Sequence, residues 1–362
     1  MDARQKLEYE RLAGLFTDSD PTRQYQYDLD YARIYNNIQS GVETDWLAKP
    51  LRNAFSQSHS LSIDGGDERA KYNLGVRYGK DSGVMKGSDR TRLSTNFRLS
   101  YNVSGKFFVS NSSTITSVTN NESPYGDFSD WVKMNPYENP YDADGKLRSS
   151  LYHDISNPLY DASLGSYNKT NTLDFLNTTS LQLWFGDKIR LDGDFTIDRS
   201  KQDRRIFTSP FSYYEISNKA ADQRGSLSDN WTNVTTLQGK LMLSYNNYFF
   251  KKLFLTAMGG SSMESTSTDA AGYRSVGFYS DKLGHPAFAT SYDAGTHPSG
   301  SDTETRGVGF FVNTNTIWDN KYFLDLIYRY EGSSRFGKNK RFAPFWSVGG
   351  GWNIHNEKFM SG

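Results

Sequence analysis

The chain has 362 residues, of which 36% are hydrophobic and none is cysteine, and its 41 basic residues balance its 41 acidic ones. Without a basic stripe it does not fit a nucleic-acid partner, whose phosphates need a local excess of cations. Without cysteine it has no disulfide framework, zinc ribbon or thiol nucleophile. Hydrophobic residues are fewer than usual for a globular chain, yet aromatic residues reach 15%. This composition favours strands and turns.

Two amphipathic stretches open the chain. Apolar residues recur loosely at helical spacing from Ala3 to Phe16 and more clearly from Tyr27 to Ile38. The start, MDARQKLEYERLAGLF, lacks the basic and apolar segments of a signal peptide, so none is expected there. No run approaches the roughly 18–20 apolar residues of a membrane-spanning helix, which excludes a helical membrane protein. We expect residues 1–57 to be a helical and irregular segment.

From about Ser58 the hydrophobic period changes to two, the period of a strand with one apolar face. Residues 92–103 are the clearest example, because Leu93, Phe97 and Leu99 alternate there with polar side chains. About eleven strands are predicted. They cover 58–63, 72–78, 92–103, 107–118, 173–185, 189–198, 231–245, 249–259, 305–317, 323–331 and 345–354. Several are close to the roughly 9–11 residues of a membrane strand.

The predicted connections alternate in length. Tight polar turns are expected at 102–106, 186–188, 246–248 and 319–321, and long connections at 119–172, 200–230, 260–302 and 332–344. Such alternation is typical of an antiparallel transmembrane β-barrel with short periplasmic turns and long extracellular loops. Aromatic residues beside the short turns would form the periplasmic girdle: Tyr248, Phe249, Trp318, Tyr322 and Phe323. A soluble β-sandwich or propeller is the alternative.

Two groups of segments resemble a known family. The first contains TDW at 44–46, NAFSQSHSLSIDGG at 53–66, KYNL at 71–74, GVMK at 83–86 and RLS at 92–94. The second contains YEGSSRFGKNKRFAPF at 330–345, SVGGGW at 347–352 and EKFM at 357–360. Both are similar to the SusC/RagA-like TonB-dependent outer-membrane transporters. The motif residues expected to be structural are Trp46, Gly65, Gly66, Gly332, Ser333, Arg335, Phe336, Gly337 and Trp352.

The resemblance implies a plug domain followed by a barrel of about twenty-two strands. Residues 1–57 would follow the plug and 58–362 would form about half of the barrel, so the chain is expected to lack the plug and to be inactive alone. The resemblance further implies an outer-membrane location, TonB-driven import of oligosaccharides or peptides, and a SusD-like surface lipoprotein as partner. No cofactor is implied.

Catalytic and metal sites have little support in the sequence. The five histidines lack paired metal spacing, and Asp142-Ala143-Asp144-Gly145 lacks the later ligands of a calcium loop. Asp192, Asp194 and Asp198 share one strand face, where they could line a hydrated lumen or act as acid and base. We expect lumen lining, no metal and no enzyme; a barrel-embedded hydrolase using Asp192 or Asp194 is the alternative.

Aromatic residues in two long connections are the candidate substrate-binding residues. They are Tyr125, Trp131, Tyr137, Tyr141, Phe211, Tyr213 and Tyr214. Flat rings stack on sugar faces or on peptide side chains, and neighbouring Asn and Asp supply hydrogen bonds. The rings could equally pack the loops together. The alternative for the whole chain is a soluble secreted β-sheet module that binds glycans without transporting them.

Overall fold

The computed structural model describes residues 1–360, so residues 361 and 362 of the predicted barrel segment 58–362 lie outside the described residues. Twelve strands are present between residues 1 and 360. They are β1 (Ser56–Gly66), β2 (Ala70–Ser82), β3 (Asp89–Asn102), β4 (Phe107–Asn121), β5 (Tyr167–Phe185), β6 (Ile189–Thr208), β7 (Ser226–Phe249), β8 (Leu253–Val276), β9 (Ser291–Tyr292), β10 (Ser299–Trp318), β11 (Tyr322–Ser333) and β12 (Phe342–Trp352).

Helices occupy the start of the chain and the longer connections. The α-helices are α1 (Ala3–Leu12), α2 (Pro21–Gln39), α3 (Phe128–Val132), α4 (Pro158–Ser163) and α5 (Tyr213–Asn218), and single 3₁₀ turns occur at Tyr152–Asp154, Ala221–Gln223, Pro286–Phe288, Ile354–Asn356 and Lys358–Met360. Asp2 caps α1 through a capping box, and Asp20 with Pro21 begins α2. Among the described residues, no helix combines the length and apolarity needed to cross a membrane.

The strands form one antiparallel sheet in chain order. Each strand from β1 to β8 pairs with the next, β8 continues to β10, β11 and β12, and the two-residue β9 pairs only with β8. The sheet is open, with β1 and β12 as its edges. The prediction of an antiparallel barrel wall of about eleven strands, preceded by short helices, is confirmed at the level of fold.

Every second connection is short. The connections at 67–69, 103–106, 186–188, 250–252 and 319–321 lie at one end of the sheet, which we call the short-turn end. At the opposite, long-loop end lie residues 1–55 and the connections 83–88, 122–166, 209–225, 277–298 and 334–341. The long loops are shorter than predicted because β5 to β8 and β10 run on for 19 to 24 residues.

The turn predicted at 246–248 is wrong. Those residues belong to β7, and the chain reverses at Phe250 and Lys251, whose φ angles are 52° and 59°. Lys252 N–H closes this turn on the Phe249 carbonyl at 3.1 Å. Two successive positive φ values define a type I′ turn, whose twist matches that of the strands it joins. This hairpin therefore turns where the pairing of β7 with β8 ends, and not at the polar residues 246–248.

The pairing register divides the sheet into two faces, because directly opposed residues project to the same side. The apolar face carries exposed aliphatic and aromatic side chains. They include Leu61, Ile63, Leu74, Val76, Leu93, Phe97, Leu99, Ile115, Leu181, Phe195, Leu241, Leu243, Phe310, Val312, Leu324, Leu326 and Val348. The polar face carries cross-strand hydrogen bonds such as Ser94 to Thr116, Thr178 to Thr196, Ser180 to Asp194, Gln238 to Glu264 and Asn315 to Asp325.

Four polar residues interrupt the apolar face between β4 and β5. They are Asn111, Ser113, Asn177 and Thr179. Asn111 Nδ2 donates to Thr179 Oγ1 at 2.8 Å, and Asn177 Nδ2 donates to Asn111 Oδ1 at 3.1 Å and to Ser113 Oγ at 2.5 Å. Because these groups bond to each other, they need no water on that face.

Among residues 1–360, three small clusters of buried side chains form the hydrophobic core, and all lie at the long-loop end. The first joins Ala3, Leu7 and Ile34 of the helices to Tyr137; the second contains Trp46, Trp131 and Leu151; the third contains Phe207, Leu227 and Phe278. The core therefore joins helices and loops to one another and, through Phe207 and Leu227, to the long-loop ends of β6 and β7.

Glu357 fastens the segment after β12 to the short-turn end. Its carboxylate accepts hydrogen bonds from Tyr322 Oη at 2.6 Å, Lys321 Nζ at 2.9 Å and Trp352 Nε1 at 3.2 Å. The Tyr322 hydroxyl and then the Lys321 ammonium lower the pKa of Glu357 from 4.5 to about 2. A lowered pKa in the folded state means that the contact stabilises the fold above pH 4.5 and loses that effect as the pH falls towards 2.

We predict that Glu357→Gln lowers the melting temperature of the protein in detergent by a constant amount above about pH 4.5. The difference from the wild type should narrow as the pH falls from 4.5 towards 2, because the wild-type carboxylate is then protonated. Glu68→Gln, in the short turn 67–69, is the matched control and should leave the melting temperature unchanged. A difference that persists undiminished at pH 2 would contradict the assignment.

Candidate functional site

The long-loop end is one connected structure, which we call the rim: residues 1–55, 122–166, 209–225 and 277–298. Its loops are joined by hydrogen bonds across the chain. Ser209 N donates to Ser166 Oγ at 2.9 Å, Tyr213 N donates to Asp161 Oδ1 at 2.9 Å, and Thr290 Oγ1 donates to the Asp222 carbonyl at 3.2 Å. Three separate loops are therefore held as one surface.

The helices of the N-terminal segment dock onto the 122–166 loop through buried polar contacts. Tyr137 Oη donates to Glu10 Oε2 at 2.8 Å, and Lys6 Nζ lies 3.2 Å from the same carboxylate. Burial and the Glu10 carboxylate raise the pKa of Tyr137 well above its usual value, so the hydroxyl keeps its proton and its role as donor. Trp46 Nε1 donates to the Asn135 carbonyl at 2.8 Å, which fixes the chain before β1 on the same loop.

A second contact between α2 and this loop is charged. Asp30 accepts a hydrogen bond from the Tyr152 hydroxyl and lies 3.2 Å from His153 Nε2. Arg33 lies over the Tyr152 ring, 3.2 Å from its centroid, and 3.6 Å from Glu138. The hydrogen bond to Asp30 raises the pKa of Tyr152. Together these groups hold α2 to the 122–166 loop.

The seven candidate aromatic residues divide by exposure. Trp131 and Tyr137 are 0% and 4% exposed, and Tyr125 packs on Trp131 with 5.8 Å between ring centroids. Tyr213 is half-buried and donates its hydroxyl to the Asp154 carbonyl. The remaining rings are free for a ligand: Tyr141, Phe211 and Tyr214, which are 39%, 43% and 63% exposed. Substrate binding by any of the seven stays a prediction.

Several of the family-motif residues lie at close contacts, whereas Phe336 is 61% exposed and Gly337 has no heavy atom within 4 Å of the position of a β-carbon. Trp46 is buried against Trp131, and Trp352 stacks on Tyr322. Gly65 lies under the Tyr72 ring, where a β-carbon would come within 2.5 Å of ring atoms, and Gly332 lies under Phe342 in the same way. An aromatic ring covering a cross-strand glycine fills the gap that the missing side chain leaves. Ser333 ends β11, and Arg335, Phe336 and Gly337 lie in the 334–341 loop.

The polar face holds a concavity of about 780 Å3, lined by residues of β6 to β8 and β10 to β12. Its polar lining includes Asp194, Thr196, Gln238, Lys240, Ser262, Glu264 and Glu331, and Phe336, Lys340 and Arg341 border it at the long-loop end. Asp194 accepts from Ser180 at 2.6 Å, and Asp192 is held by Arg190 at 2.8 Å. Such a volume, lined by mixed charges, suits a polar solute.

Sequence reasoning missed the charged residues of this concavity that come from separate strands, such as Lys240, Glu264 and Glu331. Lys240 and Glu331 lay in predicted strands, whereas Glu264 lay in the connection predicted at 260–302 and belongs instead to β8. Only the register, which sets Gln238 opposite Glu264 and Gly309 opposite Glu331, brings them to one level. Across residues 1–360, no three His, Cys, Asp or Glu residues are grouped as metal ligands.

Comparison with known proteins finds no matching family model but several relatives. The chain is 24% identical over 350 residues to the TonB-dependent receptor SusC of Bacteroides thetaiotaomicron, covering 88% of this chain and 33% of that protein. It is 24% identical over 335 residues to the TonB-dependent receptor P26 of Formosa agariphila, covering 90% and 33%. The chain therefore spans about a third of the length of these curated relatives.

Solved structures agree with the sequence relatives. The RagAB peptide transporter matches with a TM-score of 0.78 at 20% identity, over 100% of this chain and 43% of that chain. The RagAB peptide importer in its open-open state matches with a TM-score of 0.74 at 19% identity, over 100% and 42%. In sequence and in fold, the chain is similar to part of a SusC/RagA-like TonB-dependent receptor.

We predict that Tyr137→Phe weakens the docking of α1 by about 1–3 kcal/mol, because the buried Glu10 carboxylate loses its hydroxyl donor. Hydrogen exchange of the α1 amides should accelerate accordingly. Tyr141→Phe is the control, since that ring is exposed and its hydroxyl has no partner within the described residues. Equal exchange in the two variants would contradict a role for the Tyr137 hydroxyl.

Proposed function

We propose that this chain, which resembles the SusC/RagA-like TonB-dependent receptors, forms part of the barrel wall of an outer-membrane importer. In this proposal the apolar face meets lipid, the polar face lines the lumen, the short-turn end is periplasmic and the rim is extracellular. TonB acts through the plug that such receptors carry before the barrel. The cargo is an oligosaccharide or a peptide, and a SusD-like surface lipoprotein meets the rim.

The observation that carries the proposal is the division of one sheet into two faces. Apolar side chains such as Leu241, Val312 and Val348 are about half exposed, although no second layer of protein covers them in residues 1–360. A contiguous apolar surface of this extent is unfavourable in water and is what a hydrocarbon layer requires. The opposite face is hydrated and hydrogen-bonded across strands. The soluble glycan-binding alternative lacks a partner for the apolar face.

The height of the apolar face supports the same proposal. Of the residues expected in the periplasmic girdle, Trp318 and Tyr322 lie on the apolar face near the short-turn end, whereas Tyr248 and Phe323 project to the polar face. Trp318, Tyr322 and Trp352 lie opposite one another there, and we call this row the girdle. About ten residues further along β11, Gly332 begins the last apolar row, so the face is about 33 Å long at roughly 3.3 Å per residue. With the usual strand tilt this corresponds to a band about 25 Å tall, the height of the hydrocarbon layer.

The rim and the concavity supply the surfaces that an importer needs. Cargo would first meet the exposed rings at the long-loop end and then the mixed charges of the concavity on the polar face. Rings accept a sugar face as readily as an aromatic or proline side chain of a peptide. Binding must therefore be measured with both oligosaccharides and peptides to identify the cargo class.

Cell fractionation tests the proposal. The protein as its cell makes it should sediment with outer membranes and should migrate faster on gels before boiling than after, as folded barrels do. Deleting its gene should abolish uptake of one oligosaccharide or peptide class. Recovery as a water-soluble protein that unfolds cooperatively without detergent would support the glycan-binding alternative instead.

We predict that Leu326→Arg, on the apolar face, destabilises the protein in lipid vesicles by about 2–4 kcal/mol, because the cation then lies in hydrocarbon. Ile327→Arg is the matched control, since this neighbour projects to the polar face opposite Asn313. It should cost less than about 1 kcal/mol. Urea unfolding in vesicles measures both, and equal costs would contradict the proposed orientation.

We predict that Tyr214→Ala weakens binding of the imported ligand about tenfold, whereas Tyr214→Phe changes it less than about twofold, because stacking needs the ring and not its hydroxyl. Titration with a linear oligosaccharide series and with a short peptide series measures both variants and identifies the cargo class. Unchanged affinity of the alanine variant for both series would remove Tyr214 from the binding site.

A further inference from the structure

We propose that a groove on the apolar face, bordered by the basic 334–341 loop, binds a phosphorylated lipid of the outer leaflet. The inference rests on the proposed function to the extent that it requires an outer-membrane barrel. It adds a ligand that is distinct from the cargo and lies on the opposite side of the wall. The observations behind it are the shape of the groove, its height on the wall and its charge.

The groove exists because small residues alternate with large ones on neighbouring strands. A depression of about 600 Å3 is bordered by Gly239 of β7 and by Gly332 of β11, which Phe342 covers, and Met263 of β8 lies against Gly239 with 64% of its surface exposed. Its apolar walls are Phe195, Leu237, Val308 and Phe342. A flexible thioether between rigid rings adapts well to irregular apolar ligands such as acyl chains.

The polar end of the groove lies at the level of lipid headgroups. Val308, Gly332 and Phe342 form the last apolar row, about 25 Å above the girdle along the membrane normal. The next residue on this face of β10 is Arg306, whose N–H and carbonyl both bond to Ser334 at 2.8 Å. The β11–β12 hairpin thus turns at the outer membrane interface, whereas the hairpin of β7 and β8 continues well beyond it.

The positive charge at the polar end of the groove is not neutralised by ion pairs. The loop from Ser334 to Arg341 contains Arg335, Lys338, Lys340 and Arg341 and no acidic residue. Arg306 is neutralised by Glu304 at 2.8 Å, but none of the four loop cations forms an ion pair in the part of the chain that the structure describes. Arg341 borders the groove, whose lining also includes Ser333 and Ser334, and it borders the concavity of the polar face as well.

These features specify one occupant. Acyl chains fill the apolar depression, and a phosphate on the headgroup accepts hydrogen bonds from the Arg341 guanidinium and the serine hydroxyls. A free anion would gain nothing from the groove, and a neutral lipid would gain nothing from the loop. A lipid with several acyl chains and a phosphorylated sugar headgroup, as in lipopolysaccharide, satisfies both ends.

Native mass spectrometry of the detergent-extracted protein tests the proposal, with rough-type lipopolysaccharide and the same lipid after phosphatase treatment as probes. We expect a one-to-one complex whose affinity falls about tenfold on phosphatase treatment, in Arg341→Gln and in Met263→Trp, which fills the groove. Lys338→Gln is the matched control, because it removes the same charge from the same loop but does not border the groove. It should change affinity less than about twofold.

Three results would overturn the proposal. Equal losses in Arg341→Gln and Lys338→Gln would indicate diffuse attraction to the loop, and equal binding of the phosphatase-treated lipid would remove the phosphate contact. Competition by inorganic phosphate, or a protein dimer that excludes the lipid, would assign the surface to another occupant. Outer-membrane fractionation of the same preparations separates these results from a failure of the proposed function, and heat-modifiable migration verifies that each variant folds.

Discussion

The register of the antiparallel ladder is the constraint on which the rest of the structure depends. Within residues 1–360 each strand bonds to the next in chain order, except that β8 continues to β10 past the two-residue β9, so one set of pairings from β1 to β12 fixes which side chains share a face. A slip of one residue at any pair would exchange the apolar and polar faces beyond that point. The unbroken division between Leu61 on β1 and Val348 on β12 shows that no such slip occurs.

The strands could be predicted because their chemistry is local. Alternation such as that of Leu93 and Phe97 needs only the sequence and a period of two, and it located about eleven strands. The upper parts of the long strands escaped prediction for the same reason. Between Thr266 and Gly272 of β8, and between Ser299 and Glu304 of β10, polar residues lie on both faces, so period two leaves no signal. Backbone pairing holds these extensions, together with side-chain hydrogen bonds between strands such as Asn233 to Asp269.

The rim was harder to predict than the sheet, because its contacts join distant residues. Trp131 and Tyr214 are both loop aromatic residues in the sequence, yet one is fully buried and the other is mostly exposed. What separates them is Trp46, some eighty residues before Trp131, which packs against it. No pattern within a loop carries that information. The positive φ angles of His153 and Asp154, which shape the loop beside α2, are equally invisible in the sequence.

The polar face has a consequence for the movement of solutes along it. Its hydroxyl, amide and carboxylate groups bond largely to one another, as in the pairs Thr178 with Thr196 and Thr236 with Thr266. In the proposed importer, a solute touching this wall competes with bonds that the wall groups already make to one another, so the net gain per contact is small. Such a surface binds a passing solute only weakly. We therefore expect a solute to be retained only where the wall carries unpaired charges, and to move freely along the wall between those places.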